Sequence, residues 1–226
     1  MAEYGKSDKL TEKDLYIGQY IDNDYVRTKF LAERAVIQAA KDKGLDGRVI
    51  RVGNLTSRYS DGEFQMNANT SNFMRNLKAF KLLGAFPMSG MMMPTEFSPV
   101  DATAQSILRL AACDTKMRMF QSYNNHIINM ADVISAMKNY GFEISIVSDE
   151  EFALKVKEAS QNESMKDALL SLIAYRSNDE TPLVSVETNN DLTIESLYRL
   201  DYLWPIIDNN YLHKLIKAVD SLGFFD

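Results

Sequence analysis

The sequence predicts an α/β fold, and three observations carry that prediction. The stretch from Asp24 to about Lys43 has the apolar spacing of an amphipathic helix. A few residues later Arg48-Val49-Ile50-Arg51-Val52 forms a β-branched run that ends at Gly53-Asn54, which reads as a strand and then a loop. Short strand and helix patterns then alternate as far as about Val147, and beyond Ser148 the chain reads as mainly helical.

Each element has its own local reason. Asn23 or Asp24 can cap the first helix, Leu31, Ala35 and Ala39 recur at four-residue spacing, and Gly44 stops it. Helix followed so closely by strand is the second half of a β-α-β unit. Residues 1–23 are polar and tyrosine-rich without a convincing strand, so the first strand of the unit is expected before residue 1 or in the first few residues. Residues 65–83 read as helical, with Phe73, Leu77 and Phe80 at core-like spacing, and 87–94 as a looser stretch. A helix is expected over 101–112, a strand over 126–129 that lies beside 48–52, a helix over 133–140 ending at Gly141, and a strand over 144–147. Ser148, with Glu151 three residues on, opens a helical tail at 149–159, 163–176, 193–200 and 209–221. The change of character near Ser148 divides the chain into 1–147, with a helical insertion at about 63–97, and 148–226.

Composition excludes much else. Of 226 residues 46% are apolar and 25% charged, with 25 Lys plus Arg against 31 Asp plus Glu. That is an ordinary globular balance, ample for a core and unlike a disordered, collagen-like or disulfide-rich chain. No run approaches the ~18 apolar residues of a membrane span, and the first residues lack the apolar centre of a signal peptide. A net charge of −6 with no basic block argues against nucleic acid or an anionic membrane as the main partner. Cys113 stands alone, so no internal disulfide forms and a reducing cytoplasm is expected. His126 and His213 lie far apart, which leaves no metal-ligand cluster. No Gly-x-Ser-x-Gly elbow, P-loop or Gly-x-Gly-x-x-Gly fingerprint occurs. Gly44 and Gly47 precede an apolar run, whereas a phosphate-cradling loop follows one.

One constellation carries chemistry. Tyr25 and Lys29 are four residues apart in the first helix and so share a face. A free phenol, with a pKa of about 10, is a poor acid at neutral pH. A neighbouring ammonium favours the phenolate and brings the group toward the working range. The phenol can then protonate a carbonyl oxygen as hydride reaches its carbon, and the lysine keeps donors for a ribose hydroxyl. Fifteen lysines and eleven tyrosines in 226 residues give about 0.7 such pairs by chance, so taken alone the pair reads as an exposed Tyr and Lys on a solvated face.

The surrounding order is more specific. Tyr25-x-x-x-Lys29, Ala32-Glu33, Gly44-Leu45 and Arg51-Val52-Gly53-Asn54-Leu55 follow one another as in the extended short-chain dehydrogenase/reductase family, and more narrowly the chain resembles the terminal thioester reductase domains of nonribosomal peptide synthetases. Further matching stretches are Thr11-Glu12-Lys13-Asp14, 61–67, Phe97-Ser98-Pro99-Val100-Asp101, 125–129 and 147–152, so the resemblance covers most of the chain in family order. It implies the C-terminal part of a Rossmann-type doubly wound sheet with a helical substrate subdomain. It also implies Tyr25 as proton donor, Lys29 as ribose ligand and tuner of Tyr25, and Gly53, Asn54 and Leu55 as the lining of the nicotinamide side of a cleft. The implied reaction is NADPH-dependent reductive release of a thioester from a phosphopantetheinyl carrier protein, as aldehyde or alcohol. Other extended reductases, acting on fatty acyl groups or nucleotide sugars, remain an alternative, as does a non-catalytic module that docks a carrier or partner.

In such reductases the glycine-rich loop, the first strands and the Ser or Thr partner of the pair precede the helix, and none is found here. The chain therefore reads as the C-terminal half of a domain, expected by itself neither to bind NADPH tightly nor to reduce anything, with the upstream half as a partner. An exposed edge of the 48–52 strand is expected to promote self-association. Met88, Met91, Met92 and Met93 read as loop residues packing on the core, with a substrate-facing lid as the alternative. His126 is expected as a structural histidine in its strand, Cys113 as buried or half-buried, Trp204 with Pro205 as the anchor of a helix junction, and Asp149, Glu150 and Glu151 as a solvated face.

Overall fold

The helix expected at the start of the chain runs over Asp24–Lys43 (α1). Gly44 follows at φ +65°, a left-handed conformation that glycine adopts without strain, and ends it. The computed structural model describes residues 9–19, 21, 24–65, 68–162, 165, 169 and 187–226. Asn23, residues 1–8 and most of the helix expected at 163–176 lie outside the described residues. None of the α1 residues is buried. Its partly covered positions are Phe30, Glu33, Val36, Ile37, Ala39 and Ala40, while Leu31 and Ala35 are exposed. The expected stripe is thus corrected: the inward face is centred on Glu33, Val36, Ile37 and Ala40, because a charged residue at position 33 faces the sheet.

Among the described residues there are ten short strands, in chain order β1 (Lys9–Leu10), β2 (Val49–Val52), β3 (Leu55–Thr56), β4 (Ala85–Pro87), β5 (Pro94–Thr95), β6 (Ser98–Pro99), β7 (Met119–Ser122), β8 (Ile128–Asn129), β9 (Ser145–Val147) and β10 (Glu187–Thr188). The pairs β1–β10, β2–β7, β3–β6 and β4–β9 are parallel, and β5–β8 is antiparallel. Flanking helices are α2 (Asn72–Leu83), α3 (Val100–Ala112), α4 (Met130–Tyr140), α5 (Asp149–Ala159), α6 (Asp191–Arg199) and α7 (Asn209–Asp220). The result is a Rossmann-like α/β arrangement of parallel strands and covering helices, as expected.

Four expectations change. The helix expected over 65–83 begins only at Asn72, where Ser71 Oγ caps it by accepting from the Met74 N–H, and residues 68–70 form a separate short turn. The neighbour of β2 is β7, with Val49 opposite Met119 and Val52 opposite Ser122, and not the 126–129 stretch. All four β7 residues are buried, yet two are polar and break the apolar signature of a core strand. Their side chains are satisfied: Gln121 Nε2 donates to the carbonyls of Leu10 (2.8 Å) and Asn189 (3.2 Å), and Ser122 Oγ pairs with Ser106 Oγ at 2.6 Å. His126 lies exposed in the loop before β8, its backbone N–H donating to Asn124 Oδ1, and is not a strand histidine. The N-terminal stretch does hold a strand, the two-residue β1, whose partner is the distant β10.

Caps hold as read. Ser148 Oγ accepts from the Glu151 N–H at 3.2 Å, and Gly141, at φ +117°, closes α4. One core gathers Leu77 and Phe80 of α2, Phe86 of β4, Met137 of α4, Phe152 of α5, and Tyr211 and Leu215 of α7. A smaller one joins Leu110 of α3, Phe120 of β7, Leu197 of α6 and, between α6 and α7, Tyr202 and Trp204. Of the methionine cluster, Met91 packs against the first core, whereas Met88, Met92 and Met93 are exposed. Cys113 is half-buried, its Sγ 3.2 Å from Arg48 Nη1.

Candidate functional site

The first turn of α1 begins at Asp24, whose carboxylate pairs with Arg27. Tyr25 is 71% exposed, and the Lys29 ammonium sits over its ring, 5.5 Å from the centroid. That is within the range of a cation–π contact. The helix thus brings the phenol and the ammonium together on one accessible face.

Gly53, Asn54 and Leu55 lie where β2 ends and β3 begins, at the C-terminal end of a parallel strand. Open α/β sheets bind ligands beyond such ends. Asn54 and Leu55 are exposed. Gly53 is hemmed in: a Cβ there would lie 2.5 Å from Tyr123 Cβ and 2.6 Å from Glu96 Oε2. Its N–H donates to the Ser122 carbonyl at 3.3 Å, which carries the β2–β7 pairing one residue further.

Two residues of this corner were not singled out from the sequence. Glu96 Oε2 accepts the Asn54 N–H at 2.6 Å, and its other oxygen accepts from Ser98 Oγ. Ser98 Oγ in turn accepts from the Asn124 N–H at 3.0 Å. Burial holds the Glu96 carboxyl above its ordinary pKa, against the opposing pull of the Ser98 and Asn54 hydrogen bonds. Tyr123 closes the other side. Its hydroxyl donates to the Thr188 carbonyl at 3.0 Å, and burial raises its pKa. The one signal for Glu96 was an acidic residue directly ahead of the Phe97–Asp101 stretch; nothing local marked Tyr123.

The two groups of residues are linked through Arg51 of β2. Arg51 makes a forked contact with Glu33 of α1: Nη2–Oε2 2.7 Å, Nε–Oε1 3.0 Å and Nε–Oε2 3.2 Å. Arg51 Nη2 also donates to the Asp14 carbonyl at 3.1 Å. Among the described residues, no group of three or more His, Cys, Asp or Glu side chains is placed to hold a metal ion, and no helix is long and apolar enough to cross a membrane.

Residues 2–107 match the NAD-binding family described as male sterility protein. The chain is 28% identical over 230 residues to the large subunit of L-2-aminoadipate reductase of Candida glabrata, covering 95% of this chain and 16% of that protein. A thiolation-reductase di-domain from an archaeal nonribosomal peptide synthetase superposes with a TM-score of 0.84 at 36% identity, over 96% of this chain and 45% of that one. The reductase domain of the aureusimine biosynthetic cluster superposes with a TM-score of 0.76 at 28% identity, over 97% of this chain and 56% of that one. The chain therefore spans about half the length of these solved reductases. In sequence it matches the NAD-binding male sterility family, and in structure it resembles the terminal reductase domains of nonribosomal peptide synthetases.

Proposed function

We propose that this chain carries the tyrosine–lysine part of the active site of an NADPH-dependent reductase, which releases an acyl or peptidyl thioester from a phosphopantetheinyl carrier protein as an aldehyde or alcohol. The observation that carries the reading is Tyr25 and Lys29 on one exposed face of α1, in a chain 36% identical to a thiolation-reductase di-domain. The residues suit the nicotinamide–ribose end of the cofactor. Lys29 offers ammonium donors to a ribose hydroxyl, and Gly53, Asn54 and Leu55 line the C-terminal end of β2. NADPH supplies the hydride when bound. Tyr25 donates its phenolic proton to the substrate carbonyl oxygen, and Lys29 stabilises the phenolate left behind. On this reading residues 1–147 face the nucleotide and 148–226 form the helical substrate side.

The same reading gives the chain a second partner, a nucleotide-binding half that supplies the glycine-rich loop. Three features support it: the sequence has no such loop, α1 buries none of its residues, and β2 pairs only with β7 among the described strands. Parallel strands are ordinarily covered on both faces and flanked within their sheet. Calorimetric titration of NADPH into the 226-residue chain is expected to show no micromolar binding, and a micromolar Kd would remove the need for the second half.

Joined to a nucleotide-binding half, the chain is expected to oxidise NADPH with a carrier-bound acyl thioester. Tyr25→Phe should lower that rate by about 100-fold or more, the contribution of a positioned general acid, while NADPH affinity stays within about twofold. An unchanged rate in Tyr25→Phe would leave the docking-module reading in its place.

A further inference from the structure

Twenty residues of α1 carry the candidate catalytic pair, yet none of them is buried. A helix normally sits where its apolar stripe fits the core; here the apolar residues Phe30, Val36, Ile37, Ala39 and Ala40 are only partly covered. Its inward face also carries a charge. Glu33 and Arg51 retain only 19% and 17% side-chain exposure, and their contact is forked, the geometry that fixes direction as well as distance. Arg51 Nη1 is buried without a hydrogen-bond partner among the described residues, so Glu33 supplies most of what the guanidinium has. Arg51 stands two residues before Gly53, and Glu33 one helical turn beyond Lys29.

We propose that the Glu33–Arg51 pair is the positioning device of the site: it pins α1 to β2 and so sets Tyr25 and Lys29 against the loop from Gly53 to Leu55. The catalytic part of this inference rests on the reductase reading above. The lever arm is short but sensitive. At a rise of about 1.5 Å per residue, Tyr25 lies ~12 Å along the axis from Glu33, so a tilt of about 5° moves it by ~1 Å. A misplacement of ~1 Å can lower a rate by about 100-fold. Asp14 extends the device, because its carbonyl accepts from the same guanidinium and ties in the segment ahead of α1.

Hydrogen exchange on the 226-residue chain tests the pin directly. In Glu33→Gln the amides of α1 are expected to exchange at least about tenfold faster, with α4, in the main core, unchanged as the internal control. Arg51→Lys, which keeps the charge and loses the fork, should loosen α1 to a smaller degree, and the exchanged pair Glu33→Arg with Arg51→Glu should restore part of the protection. Unchanged α1 exchange in Glu33→Gln, or equal loss in α1 and α4, would overturn the proposal. In the reductase assembled with its nucleotide-binding half, Glu33→Gln is expected to lower kcat by about 10- to 100-fold with the KM for NADPH within about twofold. Loosened exchange with an unaltered kcat would overturn the positioning role. If instead Tyr25→Phe leaves the rate unchanged while α1 loosens as expected, the pin stands and the reductase reading fails.

Discussion

An alanine methyl at position 53 would stand 2.5 Å from Tyr123 Cβ and 2.6 Å from Glu96 Oε2, well inside van der Waals contact. The demand for glycine is one of space, since the backbone there is not left-handed. Gly53→Ala is expected to destabilise the chain by about 1–3 kcal/mol, the range for overpacking, read as a lowered urea midpoint. An unchanged midpoint would show that the corner can open. Glu96, on the other side, makes a pH-dependent contribution of known sign. Its carboxyl pKa is raised by burial, so the folded chain holds that proton more tightly than the unfolded chain does. The stability this contributes is full below the ordinary value of 4.5 and is lost as pH rises through the folded value. Glu96→Gln cannot ionise, so its melting temperature relative to the parent chain should climb as pH is raised from about 4 to 7; a flat difference would contradict the burial account. At this scale Tyr25 and Lys29 were legible because helical spacing alone puts positions i and i+4 on one face. Glu96 and Tyr123 were not, since 42 residues separate Glu96 from Asn54 and 70 separate Tyr123 from Gly53, and only the folded chain brings them together.

The attachment of α7 to β3 shows how elements are joined here. The Tyr211 hydroxyl donates to the Ser57 carbonyl at 3.1 Å and lies 3.0 Å from Ser57 Oγ and 2.8 Å from Thr56 Oγ1. Burial pushes this phenol up to about 12, so it is a neutral donor near neutral pH. Tyr211→Phe leaves those oxygens short of a partner in a buried position and is expected to cost about 1–3 kcal/mol, measured by thermal unfolding. A loss much below that would mean water reaches the site. Helices were read well from their periodicity and their caps, as Gly44, Gly141 and Ser148 show. Strands were read less well. β7 hides behind Gln121 and Ser122, whose burial is made acceptable only by partners in α3, β1 and the loop ahead of α6. β1 is two residues long and has little to mark it apart from its pairing with β10.

Across the whole molecule, both the helical tail and the earlier α/β stretch feed the main core, where Phe152, Leu215 and Tyr211 meet Leu77, Phe86 and Met137. The first helix and strand are more open: α1 has no buried residue, and Val52 at the end of β2 is 43% exposed. A parallel strand with an unpaired edge recruits another chain, so self-association is expected through that edge, with a dimer seen by light scattering at ~50 μM, where typical specific dimers are populated. A clean monomer would count against it, and dissociation on adding a nucleotide-binding half would locate the contact. By itself the sequence determined the α/β class, several helix ends such as those at Gly44, Gly141 and Ser148, and the Tyr25–Lys29 pairing, because capping and one-turn spacing are local properties of the chain. Only the tertiary structure decided that β7 lies beside β2, that Glu96 holds the Asn54 amide, and that Arg51 grips Glu33. Those choices depend on which distant polar groups find partners once buried, and no local pattern encodes them.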